Sequence, residues 1–143
     1  MSTTYSSDIT VEAYNALLKS VNWKEQPYEQ AASGLANSIV FVAEDNGTPV
    51  GVTRIVTDSG YIAIIVDVVV NPDYQGKGIG KTLTQKAVNY LKNNLPPGWS
   101  INISLMSAKG KEGFYEQFGF VNRPSERFGN GMSLFYTNSE ESK

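Results

Sequence analysis

The residue types and spacing best suited to chemistry lie in one stretch, Asp67-Val68-Val69-Val70-Asn71-Pro72-Asp73-Tyr74-Gln75-Gly76-Lys77-Gly78-Ile79-Gly80-Lys81-Thr82. An apolar, β-branched run from Tyr61 to Val70 stops at Asn-Pro, and a glycine-rich turn follows. A helical pattern then opens with Ile79, Leu83, Ala87, Val88 and Leu91 on one face. Strand, glycine loop and helix in this order present backbone N–H groups to an anion. The first four N–H groups of a helix lack partners, and the helix dipole places partial positive charge there. Glycine at 76, 78 and 80 lets the backbone approach a phosphate with no Cβ in the way, and Lys77 and Lys81 add mobile positive charge beside it.

Asp67 is the odd residue of that strand, a carboxylate flanked by Ile64, Ile65, Val66 and three valines. Such a group must find donors or have its pKa raised. A raised pKa suits a general base, two good donors make a fixed anion for a substrate ammonium, and an ion pair with Arg54 makes a structural element. Arg54 is itself the one charge in an apolar row with Val50, Val52 and Val56. Glu44, on the face of Val40 and Val42, is a further candidate base. What is missing narrows the chemistry. With no Cys there are no disulfides, thiolate nucleophiles or zinc-thiolate sites, and with no His there is neither a Ser-His-Asp triad nor a histidine metal ligand. Catalysis falls to Asp, Glu, Tyr, Lys, backbone groups or water, and no metal is expected.

Two familiar phosphate loops fail on spacing. The pattern G-x-x-x-x-G-K-[ST] ends correctly at Gly80-Lys81-Thr82 but needs glycine where Gln75 stands. The dinucleotide pattern G-x-G-x-x-G puts its third glycine on Lys81 or Leu83. What matches is Q/R-x-x-G-x-G/A, carried by Gln75, Gly78 and Gly80. Downstream stands Phe114-Tyr115-Glu116-Gln117-Phe118-Gly119-Phe120, an F-Y-x-x-x-G-F pattern. With both motifs in this order, residues 38–137 resemble the GNAT superfamily of acyl-CoA-dependent N-acetyltransferases.

The resemblance implies an α+β fold with a central mixed, mostly antiparallel sheet of six to seven strands and about four helices. It implies acetyl-CoA as co-substrate, its diphosphate held by Gln75, Gly76, Lys77, Gly78, Ile79, Gly80, Lys81 and Thr82. The pantetheine arm would pair along Val68, Val69 and Val70, with the Val68 N–H polarising the thioester carbonyl. Tyr115 falls on the position of the general acid that faces the thioester sulfur; otherwise it is a packing tyrosine. Trp23 and Tyr28 become candidate walls of the acceptor pocket, and Arg54 and Arg127 candidate substrate contacts. Ala108 departs from the pattern, since many members carry Asn there and use it to bond the cofactor. Lys109 and Lys111 stand near the 3′-phosphate end of the cofactor or are solvated.

The elements that must position these residues can be read in order. A helix is expected from Asp8 or Thr10 to about Lys19, with residues 1–7 holding a short edge strand. A loop broken by Pro27 leads to a second helix ending near Ala36. Ser38 to Glu44 and Pro49 to Val56 read as a hairpin around Asp45-Asn46-Gly47-Thr48. Tyr61 to Val70 is apolar at nearly every position, as for a strand covered on both faces. The helix after the glycine loop ends near Asn93-Asn94, before Pro96-Pro97-Gly98. Ile101 to Met106 is the next strand, Lys111 to Phe118 a short helix closed by Gly119, and 120–122 and 132–136 the last strands.

At 143 residues the length points to a single domain over 1–143, burying roughly two-thirds of its unfolded surface. A net charge of −2 leaves no basic surplus to displace counterions, so nucleic acid is not an expected partner. No apolar run reaches the ~18 residues of a membrane span. The N-terminal Met-Ser-Thr-Thr-Tyr-Ser-Ser lacks the parts of a signal peptide, so a cytoplasmic location is expected. The expected activity is transfer of acetyl to a primary amine of a small molecule: an amino acid, a polyamine or an arylalkylamine. Acetylation of a protein N-terminus or lysine, and a non-catalytic acyl-CoA-binding module, are the alternatives. Relatives often dimerise through their last strands, so a homodimer is expected through Met132 to Tyr136.

Overall fold

The computed structural model describes residues 2–139, which contacts divide into two compact units, one ending at Leu105 and one beginning at Met106. The first unit holds a five-stranded sheet in the order β1-β2-β3-β4-β5. The strands are β1 (Thr3–Ser6), β2 (Ile39–Asp45), β3 (Thr48–Thr57), β4 (Ile62–Val70) and β5 (Asn102–Leu105). Neighbours pair antiparallel except β4 and β5, which are parallel. Helices α1 (Val11–Ser20), α2 (Tyr28–Ala36) and α3 (Ile79–Asn93) belong to the same unit. The second unit contains α4 (Glu112–Glu116).

The first two helices start where the sequence supplies a start. Thr10 caps α1, its Oγ1 accepting from the Ala13 N–H at 3.1 Å, and Pro27 precedes α2. Val11, Tyr14, Leu17 and Leu18 of α1 and Ala31 of α2 pack with Val40, Val42, Val52 and Val69 on one side of the sheet. On the other side Ile79 and Leu83 of α3 pack with Ala43 and Val50. Each fully buried Val, Leu or Ile side chain among them contributes about 1.5–3 kcal/mol. Gly51 lets α3 come close, because a Cβ there would lie 3.1 Å from Leu83 Cδ1 and 3.2 Å from Ile79 Cγ2.

Two expectations need correction. The β4 strand is not covered on both faces throughout: Ile62 and Ile64 are each 40% exposed, alternating with buried Ala63 and Ile65. The sheet has five strands, not six or seven, because 120–122 and 132–136 join no ladder among the described residues. Val121, Met132, Leu134, Phe135 and Tyr136 are 79–93% exposed. Their β propensity needs a hydrogen-bonded, half-buried surface to act on, and they have none.

Candidate active site

The glycine loop is built by local chemistry. Pro72 ends β4, the Asn71 N–H still reaches the Val50 carbonyl (2.8 Å), and the Asn71 side chain accepts from the Asp73 N–H (2.9 Å). One 3-10 turn, Pro72–Tyr74, follows. The Gln75 N–H bonds Pro72 O, and its side-chain amide donates to Val70 O at 2.9 Å, folding the loop back on the strand end. Gly76 and Gly78 then take φ of +78° and +82°. Glycine does this without strain, and the reversal aims the chain into α3 with no side-chain cap.

The six N–H groups from Gly76 to Lys81 meet no acceptor among the described residues, whereas Thr82 N–H bonds Gly78 O at 3.0 Å. Thr82 Oγ1 donates to the same carbonyl, so Thr82 closes the helix's first turn and its amide is not free for a ligand. A Cβ added at Gly76 or Gly78 would meet nothing within 4 Å. The space over the helix N-terminus is open, lined by N–H groups and flanked by the exposed Lys77 and Lys81. It fits a diphosphate. Ile79 offers this space its backbone alone, since its side chain is buried under the sheet. The loop is braced from behind: Tyr74 Oη donates to Asp45 Oδ2 (2.8 Å), and Lys77 Nζ lies 5.6 Å from the Tyr74 ring centre. The bond to Asp45, with lesser help from burial, raises the Tyr74 pKa.

The adjoining part of β4 is irregular. Pairing with β5 ends at Ile65 opposite Leu105, so on that edge Val66 to Val70 carry no further strand of the described sheet. Pairing with β3 runs through Val66 opposite Arg54 and resumes at Val69 opposite Val52, leaving Asp67 and Val68 outside the regular ladder. Asp67 adopts φ +57°. Its Oδ2 accepts from Arg54 Nε (2.7 Å) and from Tyr14 Oη (2.5 Å). Arg54 Nη1 also donates to Gly34 O and Ser38 Oγ, each at 3.2 Å. The ion-paired reading of Asp67 is therefore the one its surroundings match, with Arg54 turned to protein atoms. Trp23 and Tyr28, 44% and 58% exposed, lie on the segment between α1 and α2 and at the start of α2. Glu44 stands at a register shift of β2 against β3.

In the second unit, Tyr115 sits on α4, its ring edge-on to Phe114 (5.0 Å) and to Phe120 (6.3 Å). Burial raises the pKa of its hydroxyl above the ordinary phenol value. The helix is shorter than expected, capped by Gln117, and Gly119 at φ +96° ends the turn that follows, its N–H bonding Glu116 O at 3.0 Å. Arg127 is exposed, its guanidinium 5.5 Å from the Phe128 ring centre, with Arg123 4.8 Å from the same ring. Among the described residues no group of three or more acidic side chains could hold a metal ion.

A family model described as an acetyltransferase (GNAT) domain matches residues 36–122. The chain belongs to the GNAT acetyltransferases. It is an acyltransferase enzyme, and GNAT domains use acetyl-CoA as co-substrate. A 28% identical relative, the uncharacterized N-acetyltransferase ycf52 of Pyropia yezoensis, aligns over 83% of this chain and 69% of its own length. Serotonin N-acetyltransferase 2, chloroplastic, of Oryza sativa is 32% identical, over 83% of this chain and 60% of that protein. Histone acetyltransferase TAP1 of Glycine max is 29% identical, over 82% and 54%. The structure of a probable acetyltransferase from meticillin-resistant Staphylococcus aureus superposes with a TM-score of 0.83, at 28% identity, over 94% of this chain and all of that one. No helix of the described residues is long and apolar enough to cross a membrane. A relative named chloroplastic lends no support to the expected cytoplasmic location.

Within this GNAT chain, the residue that sequence reading missed is Tyr14. It lies in the apolar stripe of α1 with Val11, Leu17 and Leu18, and is 1% exposed. A signal existed: a buried tyrosine hydroxyl needs an acceptor, and Asp67 was the buried acceptor in want of donors.

Proposed function

We propose that this enzyme transfers acetyl from acetyl-CoA to the primary amine of a small molecule by direct attack on the thioester. In this reading the N–H groups of Gly76 to Lys81 hold the diphosphate. The bare edge of Val68 to Val70 takes the pantetheine arm, and the Val68 N–H polarises the thioester carbonyl. Tyr115, protonated at neutral pH, gives its proton to the thiolate as the C–S bond breaks, and the proton shed by the attacking amine leaves through water and restores the phenol. The reading requires the two units to act as a single domain over 1–143. The observation that carries it is the row of six acceptorless N–H groups beside an open glycine cradle.

An alkylamine with a pKa near 10 is mostly protonated at pH 7, and keeping it neutral costs about 4 kcal/mol. A fixed carboxylate suits recognition of that ammonium, and among the described residues Asp67 has only Oδ2 occupied, by the bonds from Tyr14 and Arg54. The exposed aromatic faces of Trp23 and Tyr28 suit an apolar or aromatic amine, and the rice relative is named for serotonin. Acetylation of a protein amine is the second reading, favoured by the soybean relative's name. A homodimer through the exposed row Met132, Leu134, Phe135 and Tyr136 completes the proposal, tested by sedimentation of the purified chain.

The test is thiol release from acetyl-CoA with serotonin, a polyamine, an amino acid and a histone-tail peptide as acceptors. Release driven by one of the small amines is expected. Release driven by the peptide alone would replace the first reading with the second, and release by none above hydrolysis would remove both.

A further inference from the structure

In the β3–β4 ladder a single residue, Thr53, faces two, Asp67 and Val68, which is a β-bulge. Regular alternation would send Asp67 to the side of Ile65, away from Val66 and Arg54. The positive φ at Asp67 turns it back, and Val69 rather than Val68 then joins Val52 in the core beneath α1. Among the described residues, Asp67 is the one strand residue in the left-handed region. Glycine is the usual occupant of such a bulge position.

Something must hold an aspartate there. Its Oδ2 is gripped by Tyr14 Oη from α1 and by Arg54 Nε from β3. Arg54 is fixed in turn by Gly34 O near the end of α2 and by Ser38 Oγ. Its Cζ also lies 5.6 Å from the Tyr14 ring centre. Arg54 and Asp67 are 14% and 15% exposed, so the grip is largely shielded from water. The geometry points to Tyr14 and Arg54 as positioning residues that, by clamping Asp67, fix the bulge and so the direction of the Val68 N–H. This rests on the reading of Val68 as the carbonyl's partner. Burial, and next the bond to Asp67, push the Tyr14 hydroxyl well above the usual phenol range, so the clamp keeps its donor across the physiological range. Asp67 acts here through backbone geometry, as the residue being held, and not as a proton acceptor.

The substitutions Asp67→Gly and Asp67→Ala separate geometry from charge. Both delete the carboxylate, but only glycine adopts a positive φ without strain. Together with Tyr14→Phe they are read by heteronuclear NMR, first in the free chain. Wild type and Asp67→Gly should show one Val68 amide signal and the cross-strand contact between Val52 and Val69. Tyr14→Phe and Asp67→Ala should show a second Val68 signal or lose that contact. The second readout is the Val68 amide shift between chain saturated with acetyl-CoA and chain saturated with coenzyme A. That difference should persist in Asp67→Gly and vanish in Tyr14→Phe, each variant being compared at saturating ligand. Retention of the single wild-type signal and of the shift difference in Tyr14→Phe and Asp67→Ala overturns the clamp. Equal loss in Asp67→Gly and Asp67→Ala overturns it too, because the carboxylate rather than the bulge would then matter. Absence of an acetyl-dependent shift in wild type counts against the Val68 contact instead, and the free-chain spectra still decide the clamp.

Discussion

Replacing Gly78 with alanine places a methyl group where the structure leaves open space. Gly78 holds φ +82°, and a Cβ built there meets no atom within 4 Å, so the only cost to the free protein is conformational. A left-handed alanine costs about 1–2 kcal/mol. For a chain of this size that lowers Tm by roughly 2–8 °C. In the proposed complex with coenzyme A the same methyl would stand among the N–H groups of Gly76 to Lys81 and hold the diphosphate off. Each hydrogen bond to a charged group is worth about 1.5–3 kcal/mol, so losing one weakens binding roughly 10–100-fold. Gly98→Ala is a matched control, because Gly98 has φ +86°, equally open space, and a place beyond the far end of α3. Thermal unfolding and calorimetric titration with coenzyme A give both numbers. Both variants should lose similar stability, and only Gly78→Ala should lose affinity. A thioester of N-acetylcysteamine, which has no diphosphate, should serve both variants equally well. Equal affinity losses in the two variants, or none in either, would refute diphosphate binding at this loop.

Tyr115→Phe should lower kcat by roughly 10–100-fold and leave coenzyme A affinity unchanged, measured by thiol release; a kcat within twofold of wild type, on the order of experimental scatter, would remove the acid role. Gly51→Ala should cost about 1–3 kcal/mol by denaturant unfolding, because the new methyl pushes against Ile79 and Leu83 and against Val69 O at 3.3 Å. Alkaline pH should destabilise the fold through Tyr14. Its folded pKa is raised above the ordinary phenol value of about 10, so its contribution is intact below that pH and is lost as pH climbs toward the folded value. In an absorbance titration Tyr14, Tyr74 and Tyr115 should ionise above the ordinary phenol value of about 10, and Tyr14→Phe should both remove one late step and flatten the alkaline fall in stability.

What could be read from the residues was what local chemistry decides. The strand-to-loop-to-helix passage from Ile62 to Asn93 was legible because β-branched runs, Asn-Pro, alternate glycines and a four-residue apolar repeat each act within a few residues. The Thr10 cap and the pairing of Asp67 with Arg54 were legible for related reasons, one from a residue type and one from two lone charges in apolar rows. The bulge was not, since the φ of Asp67 depends on how β4 meets β3. Tyr14 was hidden because its partner lies 53 residues away, and from sequence its ring looks like any other core aromatic. The strands expected at 120–122 and 132–136 have strand-like residues, but a ladder requires a second chain segment, which composition does not supply.

The most direct measurement is a crystal structure of the chain with coenzyme A bound. The expected result places diphosphate oxygens about 3 Å from the backbone nitrogens of Gly76 to Lys81, with the pantetheine arm along Val68 to Val70. A nucleotide lodged elsewhere, or those amides bonded to protein atoms instead, would contradict it.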